Sequence, residues 1–129
     1  MGWMLTERQA YRDHHERIIG VQRYIREHSD EPLNRGVLAA VAGFSVPHLH
    51  RVFSACTGKS IARYIHSVRM IRAGRKLRMG AVDITEVALA AGYQTHAAFS
   101  RAFKQRFGLS PREFRELDCW QASQLLRKG

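Results

Sequence analysis

Apolar positions recur along this chain at the three- and four-residue spacing of helices, and no alternating strand segment or hairpin signal interrupts them. A first helix is expected from about Tyr11 to His28, with Ile18, Val21 and Ile25 on one face and Ser29, Asp30 and Pro32 ending it. Asn34 caps a short second helix through Ala42, which Gly43 stops. Ser45 caps a third, Val46 to about Thr57, ended by Gly58. Ser60 opens the longest helix, running to about Met79, with Ile61, Tyr64, Ile65, Val68, Met70, Ala73 and Leu77 on its apolar side. Asp83 and Glu86 make a capping-box-like start to a helix that Gly92 closes. Thr95 caps His96 to Phe107, Gly108 stops that helix, and Ser110-Pro111-Arg112-Glu113 begins a last one. The tail after Leu117 carries no assignment.

The pattern repeats. LAAVAGF at 38–44 matches VALAAGY at 87–93, and beyond the turn Leu49 matches Phe99, Arg51 Arg101, Phe53 Phe103, Gly58 Gly108, Ser60 Ser110 and Tyr64 Phe114. One extra residue in the second turn accounts for the change of offset between the two sets. Each copy reads as short helix, Gly-aromatic turn, capped helix. The glycine permits a left-handed turn, and Ala39 and Ala88 permit close helix approach. This is the helix-turn-helix pattern, twice. The expected fold is all-α, about seven helices, with subdomains at 11–59 and 81–117, a linker helix at 60–80 and a tail or linker at 118–129.

The second helix of such a unit fits the major groove and presents its N-terminal half to base edges. With Leu49 and Phe53 inward at i and i+4, Pro47, His50 and Arg51 fall on the opposite face. In the second copy Phe99 and Phe103 turn inward and leave His96, Ala97, Ser100 and Arg101. Arg51 and Arg101 can each donate two bonds to guanine O6 and N7; Pro47 and Ala97 can meet a thymine methyl; His50, His96 and Ser100 can bond bases or phosphates. Ser45, Thr95 and Ser110 begin helices whose free N–H groups suit phosphate. Lys104, Arg112 and Arg115 touch phosphates or are solvated, and both readings stay open. Arg69, Arg72 and Lys76 form a basic stripe expected to be a solvated face. The long helix of about 19 residues would span roughly 28 Å, near the roughly 34 Å between adjacent major-groove sites.

Charge sharpens this reading. The net charge is +10 over 129 residues, and no acidic residue stands between Glu31 and Asp83. Such a block implies a polyanionic partner or an anionic membrane surface. No run is long and apolar enough to span a bilayer, and MGWMLTERQ lacks the apolar core of a signal peptide, so a cytoplasmic place is expected. Cys56 and Cys119 have neither disulfide-framework nor zinc spacing. His48 and His50 lie two apart on a helix and face different ways, which argues against metal. No nucleophile–base pair, paired carboxylates or phosphate-cradling glycine loop supports catalysis. No cofactor, metal or catalytic residue is expected. The rival to DNA reading is a helical protein–protein adaptor, which would have no need of arginine in both reading helices.

The stretches GFSVPHLHRVFSACTGKSIARYI and RKLRMGAVDITEVALAAGYQTHAAFSRAFKQRFGLSPREFR resemble the AraC/XylS family of bacterial transcription regulators over about residues 13–117. The resemblance implies an all-helical, two-unit DNA-binding domain and, as is usual in the family, activation of transcription through RNA polymerase; two recognition units in one chain imply that it binds double-stranded DNA as a monomer. The resemblance also supports the same reading-helix positions. The chain is similar to short MarA/SoxS-like members, or to the N-terminal domain of a Rob-like regulator. It departs from the family at Pro47, where short members carry tryptophan, and at Arg35 and Gly36.

Overall fold

The computed structural model describes residues 7–80 and 82–128. Among the described residues there are eight helices and no strand. They are α1 (Glu7–Glu27), α2 (Arg35–Ala42), α3 (Val46–Thr57), α4 (Ile61–Leu77), α5 (Ile84–Ala90), α6 (His96–Phe107), α7 (Pro111–Arg115) and α8 (Cys119–Lys128). The starts follow from capping chemistry. The first N–H groups of a helix have no partner within it, so a short polar side chain placed just before them is stabilising. Asn34 accepts from the N–H groups of Gly36 and Val37, Ser45 from His48, Asp83 from Thr85 and Thr95 from Ala98. Ser110 and Glu113 form a full capping box, each side chain accepting from the other's backbone N–H.

The chain divides into two compact units, one up to Ile65 and one from His66, so the boundary falls inside α4. In the first unit Ile18, Val21 and Ile25 of α1 are buried with Leu38, Ala39 and Ala42 of α2 and Leu49, Val52 and Phe53 of α3. Ile61, in the first turn of α4, is also buried. The apolar spacing on α1 thus supplies the surface to which the two shorter helices are fixed.

The second unit buries Met70, Ala73 and Leu77 of α4 with Val87, Ala88 and Ala91, and with a group of phenylalanines, Phe99, Phe103, Phe107 and Phe114. Ring centroids in that group lie 5.6 Å apart for Phe99–Phe103, 4.6 Å for Phe103–Phe107 and 5.3 Å for Phe103–Phe114, tilted or edge-on as aromatic quadrupoles favour. Truncating one such ring costs about 3–5 kcal/mol in a typical core. The unassigned tail is the eighth helix. Asp118 accepts from the N–H of Gln121 at 2.8 Å while the Gln121 amide oxygen accepts from Asp118 at 3.3 Å. Ala122 of α8 is buried, and Leu125 and Leu126 pack on the second core. Leu126 lies over Gly74 of α4, so close that a Cβ there would meet its Cδ2 at 2.7 Å.

Candidate nucleic-acid interface

Helix α3 is fixed by its inward face. Leu49 and Phe53 are completely buried, and this turns Pro47 and Arg51 outward, where both are exposed. His50 is half-buried, and its Nε2 is shielded from solvent with no hydrogen-bond partner. In α6 the complete burial of Phe99 and Phe103 leaves His96, Ala97, Arg101 and Lys104 exposed and Ser100 half-buried. The two arginines at equivalent places in the repeat therefore stand on equivalent outward faces, each within its own unit.

Ser45 and Thr95 are exposed, but their hydroxyl oxygens accept from the third amide of the helix each begins, at 3.3 and 3.1 Å. The free donors are then the first amides. In α6 these are His96 and Ala97. In α3 Pro47 has no N–H, so Val46 alone remains.

The remaining basic side chains separate into different environments. Arg112 is exposed. Arg115 is half-buried, and its guanidinium donates through Nε to the carbonyl of Leu77 at 3.1 Å and through Nη2 to that of Val82 at 2.7 Å. Arg78, at the other side of the same corner, donates through Nη1 to the carbonyl of Leu117. The stripe of Arg69, Arg72 and Lys76 is half-buried rather than fully solvated. With Val87, Ala90 and Ala91 these residues line a shallow dent beside α5.

The aromatic residues at the two turns are held differently. Phe44 meets His48 edge-on at 4.6 Å between ring centroids and His14 at 5.5 Å. Tyr93, its counterpart, is hydrogen-bonded through its hydroxyl to His66 Nε2 at 2.6 Å. Burial, helped by the charges of Arg106 and Arg69, holds the His66 imidazole below its ordinary range, and burial raises the Tyr93 phenol. Sequence reasoning passed over Arg17, Arg78 and α8. Only the last had a readable signal, Asp118 followed three residues later by Gln121.

Comparison with known proteins places this geometry. The helix-turn-helix domain family matches residues 38–117, most of the chain. The regulatory protein SoxS of Escherichia coli is 34% identical over 102 residues, covering 78% of this chain and 95% of SoxS. The chain belongs to the AraC family of transcription regulators. A second AraC-family relative, the transcriptional regulator Rob of Salmonella typhimurium, is 35% identical over 99 residues, covering 77% of this chain. The match takes in only about a third of Rob's length, 34%. Among solved structures the DNA-binding domain of AdpA, a global transcriptional factor in complex with a target DNA, superposes with a TM-score of 0.66 at 28% identity, over 76% of this chain and 88% of that one. The relatives and the fold are those of helix-turn-helix regulators and not of enzymes. Among the described residues no helix is long and apolar enough to cross a membrane.

Proposed function

We propose that this AraC-family chain reads duplex DNA sequence-specifically as a monomer, laying α3 and α6 into adjacent major grooves of one site. The observation that carries the reading is the paired outward placement of Arg51 and Arg101, each opposite a completely buried pair, Leu49/Phe53 and Phe99/Phe103. Each guanidinium donates two hydrogen bonds to guanine O6 and N7. Pro47 and Ala97 offer apolar contact to thymine methyls, and His96 and Ser100 supply polar contacts beside Arg101. Any contact from His50 goes through Nδ1, because Nε2 is sealed.

Lys104 and Arg112, with the free amides at the starts of α3 and α6, hold phosphates. Ser45 and Thr95 act by ordering those amides. Arg115 acts from behind, holding α7 against the end of α4. The AdpA DNA-binding domain, solved in complex with a target DNA, supports DNA as the partner. The family resemblance carries the further reading that the bound protein acts in the cytoplasm and activates transcription through RNA polymerase.

Selection of bound sequences from a random duplex pool, followed by sedimentation of the complex, tests this. The expected result is an enriched asymmetric site holding one protein. Sequence-blind binding would favour a protein–protein adaptor, and an obligatory pair of proteins on a palindrome would overturn the monomer.

A further inference from the structure

We infer that Arg17, in the middle of α1, is a positioning residue that sets how α3 is presented, and hence the base preference of the first unit. Its Nη1 donates to the carbonyl of Ala42 at 2.6 Å, the last residue of α2 and one of the carbonyls a helix leaves without an internal partner. Its guanidinium carbon sits 5.4 Å from the centre of the Phe44 ring, within cation–π range. Asp13, one turn earlier, orients it by accepting from Nε at 2.9 Å. Phe44 in turn meets His48 edge-on at 4.6 Å, and His48 lies in the first turn of α3, between Pro47 and the buried Leu49.

The contacts form a continuous chain from α1 through the turn into the helix that carries Arg51. A Cβ on Gly43 would meet Arg17 Nη1 at 2.6 Å, so a side chain there would push the guanidinium from this position.

In the second unit the turn is held in another way. The space where a Cβ would stand on Gly92 is open, and Tyr93 is anchored instead to His66 in α4. Arg17 and its contacts lie within the first unit, so its loss loosens the reading done by α3 and leaves that done by α6 intact. This role rests on the proposal that α3 reads bases, and the test separates the two.

Wild type, Arg17→Ala, Arg17→Lys, Asp13→Asn and Arg51→Ala are bound to a panel of single-base variants of the selected site, with thermal melting and backbone hydrogen exchange measured on each. Arg17→Ala is expected to lose about tenfold of the preference at the base pairs that Arg51→Ala also relaxes, the order contributed by one bidentate contact. It keeps the preference at the base pairs read by α6, and residues 42–49 exchange faster. Asp13→Asn, made on the helix surface, gives the same pattern at smaller amplitude and stands in if Arg17→Ala does not fold. Lysine can still reach the Ala42 carbonyl and restores part of the preference.

A merely structural role would lower the melting temperature and weaken both halves alike, and that result overturns the inference, as does unchanged preference in both halves. If Arg51→Ala leaves base preference untouched, base reading by α3 is wrong. The positioning role then stands or falls on exchange across 42–49 alone.

Discussion

Arg115 and Leu77 are joined across the corner of the second unit: the Arg115 guanidinium donates to the carbonyl at the last residue of α4, at 3.1 Å, and reaches the Val82 carbonyl with a second nitrogen. A helix end leaves its last carbonyls without internal partners, and here a charged side chain satisfies one of them. Arg115→Ala should therefore act on stability first, lowering it by about 1–3 kcal/mol, the usual range for hydrogen bonds from charged groups. Arg112→Ala, an exposed neighbour, should stay within about 0.5 kcal/mol of wild type. Chemical denaturation of the two variants makes the comparison.

Arg51→Ala and Arg101→Ala should reverse that pattern. Neither side chain supports the core, so melting should change little. Each variant should lose about 1–3 kcal/mol of binding on the preferred site and relax preference at its own base pair. Binding to singly substituted sites shows which base pair each arginine reads. Uniform loss across all sequences would move that arginine to the DNA backbone.

Salt should weaken binding steeply, since a chain of net charge +10 displaces counterions wherever it meets phosphate. The slope of log affinity against log salt should be about −0.9 per phosphate contact. Lys104→Ala should flatten it by about that amount while leaving base preference as it was. A flat response in wild type would contradict the proposed phosphate contacts.

Glu113 gives an acid-side signature. Hydrogen bonds from the backbone and side chain of Ser110 hold its carboxyl below the ordinary range. A folded-state pKa below the unfolded one stabilises the fold at pH values above the unfolded pKa, and that contribution fades as pH falls through the folded value. Wild type should melt above Glu113→Gln at neutral pH, with the gap closing on acidification below the usual carboxylate range. A gap that stays constant with pH would leave the capping box without its charge effect.

What could be read from the residues was whatever is local. Asn34, Ser45, Asp83, Thr95 and Ser110 each act on amides two or three positions ahead, so the spacing of a few letters names the cap and the helix start. The inward pairs Leu49/Phe53 and Phe99/Phe103 follow from helical period alone, and with them the outward direction of Arg51 and Arg101.

Contacts that bridge long stretches of chain leave no such trace. Arg17 binds a carbonyl 25 residues away, and Arg115 binds carbonyls 38 and 33 residues away; in sequence all look like surface arginines. The sealed Nε2 of His50 belongs to the same class, because a helical wheel assigns a face but not the depth of one ring. The eighth helix was legible in principle through Asp118 and Gln121, with Ala122, Leu125 and Leu126 on one side.

The proline at the start of α3 has one more consequence. The two copies of the motif differ at their helix starts: Pro47 removes a backbone donor from one copy where Ala97 keeps it in the other. With the proposed phosphate contacts, α6 offers the DNA backbone two free amides where α3 offers one. Because the two backbone strands are equivalent, unequal grips on phosphate fix no orientation by themselves; under the proposed reading, the bases met by Arg51 and Arg101 decide which way the protein faces.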